Sequence, residues 1–165
     1  MNFFDLSRFI SLIRRLSSFI ISYYYFGKSA NIMGSFRLVG IRSLLTIGTN
    51  VTINHGVSFT VRNSIFIGDN VILSEYVSLY DCGLDTSSIL LGAKPVYTSG
   101  PIILGNNVWI GARSVVLPGV SVGANSIIGA GSVVSKDIPP RCVACGNPAK
   151  IVSFVDEITL AIKHN

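Results

Sequence analysis

Few side chains in this sequence can do acid–base or nucleophilic chemistry. There are two histidines, three cysteines and 8 acidic residues among 165. An imidazole takes and returns a proton near neutral pH, so His55 and His164 are the natural candidates for a general base. His164 is penultimate, where chains are poorly anchored, which leaves His55. Cys82 stands in Tyr80-Asp81-Cys82-Gly83-Leu84-Asp85. Its thiol could take an acyl group covalently, but a thiolate needs a neighbouring base, and no histidine is expected beside it. Cys142 and Cys145 form a lone C-x-x-C. A structural zinc site would need two further ligands, so no metal is expected, and both read as small apolar residues of a last coil. Three cysteines fit a reducing compartment without a disulfide framework.

The elements that must position these groups follow from a repeat of six. Leu104, Ile110, Val116, Val122, Ile128 and Val134 recur at every sixth position, often followed by glycine. The fifth residue of each hexad is Val or small: Val108, Ser114, Val120, Ser126, Ser132. Neither a helix nor a lone alternating strand has this period. A chain wound into a triangular coil, one short strand per side, does. Earlier sides begin at Ile47, Ile53 and Phe59, then at Ile67, Leu73 and Leu79, with two extra residues between Phe59 and Ile67. The period lapses between about 80 and 103, a stretch with several Gly and Pro, which reads as a functional loop. Ile53, Leu73, Ile110 and Ile128 should start the same face on successive coils. Their third residues, His55, Glu75, Ala112 and Ala130, should then line one corner. His55 would lie about 10 Å below Ala112 by sheet spacing, with Glu75 between, placed to orient its ring.

The chain divides into an N-terminal segment 1–30, a coil 31–153 and a tail 154–165. Phe9, Leu12, Ile13, Leu16, Phe19, Ile20 and Tyr23 fall at helical spacing, with Asp5 to cap the start and Gly27 the stop. This predicts an amphipathic helix. Arg14 and Arg15 interrupt it too early for a membrane span, and no signal-peptide pattern surrounds it. It either packs on the coil or a neighbouring subunit, or lies on a membrane surface. The expected location is the cytoplasm, with the inner face of the membrane within the helix's reach. From Ile151 the tail reads as a short helix or irregular strap. Hydrophobic residues make up 49% and charged ones 13%, as stacked aliphatic coils require. A net charge of +5 favours an anionic ligand, but the basic residues are scattered, so no nucleic-acid partner is expected.

The pieces "GNNVWIGA", "VVLPGVSVG", "IIGAGSVVSKDIPP" and "GNPAKIV" together make the chain resemble the hexapeptide-repeat acyltransferases, over about residues 35 to 153. Within them it is most similar to the sugar O-acetyltransferases, of the maltose, galactoside, capsule and O-antigen types. The resemblance implies an all-β fold, a left-handed parallel β-helix, assembled as a homotrimer with sites between subunits. It implies acetyl-CoA as co-substrate and a saccharide of the cell envelope as acceptor. Carried onto this chain, the CoA groove passes the backbone of Ala112 and Ala130. Ser135 and Lys136 stand where the family has "TK", and Lys150 stands at the basic residue of "NPAR" that meets CoA phosphates. Small residues let pantetheine approach the backbone, and ammonium groups neutralise phosphate.

One departure matters. The family's loop histidine, in strings such as "H-P-L-D", is replaced: alignment on Leu84-Asp85 puts Cys82 there. Asp85 matches the aspartate that binds acceptor hydroxyls, and Asp81 and Cys82 lie beside it. Two readings stay open. One is acetyl transfer to a sugar hydroxyl or amine with His55 as base. The other is a degenerate β-helix that binds CoA or sugar, or serves as a scaffold, without turnover.

Overall fold

The computed structural model describes Phe26 and residues 30–154. The expected N-terminal helix, except Phe26, lies outside the described residues, as do His164 and the tail beyond Phe154.

The sixfold aliphatic pattern becomes a three-sided parallel β-solenoid. The first coil is β1 (Asn31–Ile32), β2 (Arg37–Gly40) and β3 (Leu45–Ile47). The second is β4 (Thr52–Ile53), β5 (Ser58–Val61) and β6 (Ile65–Ile67). The third begins with β7 (Ile72–Leu73) and β8 (Ser78–Tyr80). A loop then carries β9 (Cys82–Leu84), a one-turn helix (Thr86–Leu90) and β10 (Tyr97–Ser99), before β11 (Ile102–Leu104) closes the coil. β12 (Trp109–Ile110), β13 (Val115–Val116) and β14 (Ser121–Val122) make the fourth, and β15 (Ile127–Ile128) and β16 (Val133–Val134) begin the fifth. β17 (Cys142–Cys145) and β18 (Lys150–Phe154) follow.

Every third strand shares a face. Face one runs β1-β4-β7-β12-β15-β17-β18, face two β2-β5-β8-β13-β16, and face three β3-β6-β11-β14. Side chains alternate in and out along each strand, so one aliphatic residue per side points inward. Phe59, Ile53, Leu73, Leu79, Ile110 and Ile128 are fully buried. Each coil is covered by the next, and that burial is the main favourable term. The small fifth residues are buried too, and their hydroxyls are satisfied: Ser114 Oγ donates to the Gly129 carbonyl at 2.9 Å and Ser132 Oγ to the same oxygen at 2.6 Å.

The fourth residue of the hexad turns the corner, and where φ is positive it does so in the left-handed region. Asn50, Asn70, Asn107 and Asn125 do this between faces three and one, with φ of 53°, 56°, 58° and 60°. Asparagine tolerates this conformation better than other residues with a Cβ. Between faces one and two the corresponding residues are Gly56, Tyr76, Arg113 and Gly131.

Two expectations change. Residues from Ile151 to Phe154 are neither a helix nor a strap but part of β18, which pairs antiparallel with β17 and covers that strand's outer edge. The two cysteines of the C-x-x-C are not equivalent: Cys142 faces the core and Cys145 is exposed.

Candidate functional site

Strand register settles the corner between faces one and two. Ile53 pairs with Leu73, Leu73 with Ile110, and Ile110 with Ile128. The loop therefore leaves the face register unchanged. The corner is laced by backbone bonds: Tyr76 N donates to the His55 carbonyl at 2.9 Å, Arg113 N to Glu75 at 2.9 Å and Gly131 N to Ala112 at 2.8 Å. His55, Glu75, Ala112 and Ala130 thus form one vertical row. The coils approach closely here. A Cβ on Gly111 would lie 2.6 Å from Ala130 N, so only glycine fits.

His55 is held in a different way from the one expected. Its Nδ1 lies 3.2 Å from Ser35 Oγ, a hydrogen bond whose direction follows the ring tautomer. Its ring meets Tyr76 edge-on at 5.5 Å between centroids. Glu75 stacks one coil above but does not take the hydrogen bond, so Ser35 and Tyr76 orient the ring. Arg113 completes the column, with its Cζ 5.6 Å from the Tyr76 centroid. Sequence reading missed Ser35, Tyr76 and Arg113. The signal was available in the fourth hexad position, where Gly, Tyr, Arg and Gly alternate.

Lys150 joins this corner from above. It pairs with Cys145, whose Cβ would be 2.7 Å from a Cβ on Gly129. Ser135 and Lys136 do not join it. They follow β16 at the far edge of face two, exposed, at the corner from which the loop departs. Four residues separate Ala130 from Ser135, the turn at Gly131 and the strand β16 among them.

The loop residues share that second corner. Cys82 is half-buried at the root of a hairpin in which it pairs with Ser99. Asp81, expected to bind the acceptor, does something else. It is fully buried, and its carboxylate accepts from Arg62 N at 2.8 Å and Asn63 N at 2.7 Å. Those two residues lie in the corner where the sequence has its extra pair, and Asp81 closes it. With no exposed surface, Asp81 is not available to an acceptor. Asp85 caps the loop helix: Ser87 donates to it from its hydroxyl at 2.6 Å and from its N–H at 3.2 Å. The hydroxyl bond above all holds the carboxyl below its usual range.

The candidate residues therefore fall into two groups, two candidate half-sites. One holds His55, Glu75, Ala112, Ala130 and Lys150. The other holds Cys82, Asp85, Ser135 and Lys136, and face two stands between them.

Known proteins share this architecture. Residues 101–136 match the family described as bacterial transferase hexapeptide (six repeats). A maltose O-acetyltransferase from Clostridium difficile 630 is similar in structure, with 33% identity and a TM-score of 0.71, over 82% of this chain and 73% of that one. This chain belongs to the hexapeptide-repeat acetyltransferases. Among curated hexapeptide-repeat acetyltransferases, the galactoside O-acetyltransferase of Escherichia coli K12 is 41% identical over 115 residues, 70% of this chain. The chain spans 56% of the length of that relative. A hexapeptide-repeat acetyltransferase of Vibrio cholerae O1 biovar eltor, solved with acetyl coenzyme A, superposes with a TM-score of 0.74 at 26% identity, over 86% of this chain and 78% of that one. Among the described residues, no helix is long and apolar enough to cross a membrane.

Proposed function

We propose that this protein transfers an acetyl group from acetyl-CoA to a sugar hydroxyl. The observation that carries the proposal is the vertical row of His55, Ala112 and Ala130 on one corner. In this reading His55 is the proton acceptor, two coils below a stretch of small-residue backbone along which a pantetheine chain lies. The relatives named above act on galactosides and maltose, which supports a saccharide acceptor.

The chemistry follows from that row. The acceptor hydroxyl gives its proton to His55 as its oxygen attacks the acetyl carbonyl. Backbone N–H groups at the corner hold the tetrahedral oxyanion, and CoA leaves as its thiol with the proton returned by the imidazolium. Holding donor and acceptor together supplies much of the rate. Lys150, and Ser135 with Lys136, bind the phosphate-bearing end of CoA. Asp85 and Cys82 line the acceptor side.

In our reading the two half-sites meet across a subunit boundary. A homotrimer built on a heterologous interface sets one protomer's His55 corner against its neighbour's loop corner. The left-handed winding that the sequence resemblance implies belongs to the same reading. Sedimentation giving a stable monomer at micromolar concentration would overturn the trimer.

The second reading, a CoA- or sugar-binding β-helix without turnover, is favoured by the cysteine where relatives of the sugar acetyltransferase type carry histidine. One experiment separates the two. The protein is incubated with acetyl-CoA and galactosides, maltose or nucleotide sugars, and free thiol is followed. Acceptor-dependent thiol release by wild type supports transfer, and a rise on Cys82→His supports a loop-impaired enzyme. No release by either protein, with CoA binding intact by calorimetry, makes the non-catalytic reading the better one.

A further inference from the structure

Tyr76 and Arg113 are the unexplained residues of the His55 corner. Both sit in the left-handed region, with φ of 60° and 61°. A residue with a Cβ is disfavoured there, and the coils on either side avoid the problem with Gly56 and Gly131. At the asparagine corner the same backbone is matched by a side chain that bonds its neighbours. Tyr76 and Arg113 are held instead by ring contacts, with His55 and with each other. A left-handed turn built on two large side chains beside the proposed base is a place to look for function.

Their arrangement indicates which function. The Tyr76 ring lies over Gly56, where a Cβ would come within 2.5 Å of ring carbon Cδ1. It stands edge-on to His55, and the Arg113 guanidinium lies above it. Tyr76 is 48% exposed and Arg113 is exposed. Arg113 forms no ion pair with any described residue, including Glu75, the acid of the same corner. A half-exposed ring and a guanidinium with no ion pair among the described residues therefore lie between the proposed base and the Ala112 coil.

We propose that Tyr76 and Arg113 form an acceptor subsite that selects a sugar carrying an anionic group, a carboxylate or a phosphate ester. The proposal rests on the reading of this protein as a sugar acetyltransferase. The exposed part of the Tyr76 ring gives apolar contact to the C–H side of a pyranose ring. A guanidinium presents a planar fork that binds carboxylate or phosphate through two N–H donors at once. A neutral sugar would use the ring and leave the fork in water. Stacking on Tyr76 holds the fork in place, so less side-chain freedom is lost when the anion arrives.

The test compares acceptors that differ chiefly in charge: methyl glucoside, glucuronate and glucose 6-phosphate. The full chain with acetyl-CoA should prefer one or both anionic sugars in kcat/KM by about tenfold or more, the scale of charge-assisted hydrogen bonds. Arg113→Gly installs the residue that other coils use here, so it does not threaten folding. It should collapse the ratio of anionic to neutral kcat/KM toward one through KM, and Arg113→Lys should restore part of it. No preference in wild type, or an equal loss on both classes in the variant, overturns the subsite. If no sugar of either class is acetylated, the transferase reading fails instead, and binding decides the subsite by itself. Glucuronate and glucose 6-phosphate are then titrated into labelled protein and followed by NMR. Saturable shifts lost in Arg113→Gly support the proposal. Absent binding, or binding that survives the substitution, overturns it.

Discussion

The corner between faces three and one and the corner between faces one and two turn the chain with the same backbone and opposite chemistry. The first repeats asparagine over four coils and ends on Arg141. Asn31 donates to Asn50, Asn50 to Asn70, Asn70 to Asn107 and Asn107 to Asn125, at 3.3, 2.9, 3.1 and 3.0 Å. The three inner amides, of Asn50, Asn70 and Asn107, each donate and accept within the row. At its fourth hexad position the second corner never repeats a non-glycine residue: Gly56, Tyr76, Arg113 and Gly131 follow one another, preceded by His55, Glu75, Ala112 and Ala130. In a solenoid every coil faces the same folding problem, so a repeated residue marks the architectural solution. A departure from the repeat marks a position answering to something else.

That contrast can be broken or sharpened by substitution. The largest expected effect is at the varied corner: His55→Ala should lower kcat by about 10²–10⁴ with CoA affinity nearly intact. Calorimetry and thiol release report both quantities. Full activity in the variant removes His55 as base and moves attention to Asp85. Next, Asn107→Ala should destabilise by about 2–3 kcal/mol, from two lost amide bonds and a Cβ in a left-handed turn. Its turnover at low temperature should match wild type, and Asn107→Gly should cost about half as much because glycine accepts the turn. Denaturant titration checks both. If Asn107→Ala abolishes turnover while folded, the corners are not separable.

Changing Lys136 and Lys150 to Ala together should weaken CoA binding by about 1–3 kcal/mol. The single variants are the sharper test. If CoA bridges the two corners, each alone weakens binding. An effect from only one would confine the ligand to that corner. Smaller still, Arg113→Gly should leave the free energy of unfolding within about 0.5 kcal/mol of wild type, since relief of the turn offsets the added freedom of the unfolded chain.

The smallest effect is local to the loop. The carboxyl of Asp85 titrates below its usual range because Ser87 bonds the ionised form. A depressed folded-state pKa contributes stability above the unfolded value, and this is lost as pH falls through the folded one. Amide protection at Ser87 should therefore persist at pH values where a free aspartate is already protonated. Hydrogen exchange measured across acid pH checks this. Protection that vanishes at the ordinary aspartate pKa would remove the cap from the account.

The sequence made the coil legible because a period of six leaves few alternatives. Face assignment for Ile53, Leu73, Ile110 and Ile128 followed from counting, and pairing agrees residue by residue. The count survived the loop because β11 returns to the register of β6. What counting could not show was who touches whom outside the core. Asp81 reads as a site residue because it adjoins Cys82. Only the fold reveals that the widened corner at Arg62 and Asn63 presents two N–H groups to it. His55 was assigned Glu75 as partner by vertical stacking, yet the ring reaches across to Ser35. Side-chain direction at a corner depends on χ angles that no periodicity encodes.

Asp81 also ties down the far strand of the loop. Its carbonyl accepts from Gly100 N at 2.9 Å, while Asn63 and Arg62 reach Ser99 and Tyr97 across the hairpin. The loop is thus an arm bolted at the shoulder, with a hand free to change. Leu90 and Leu91, at 85% and 82% exposure, belong to that hand. Residues between them and the shoulder can be lengthened, shortened or exchanged for those of a relative without disturbing a single stacked coil. A lineage can therefore change what it grips while inheriting the frame unchanged.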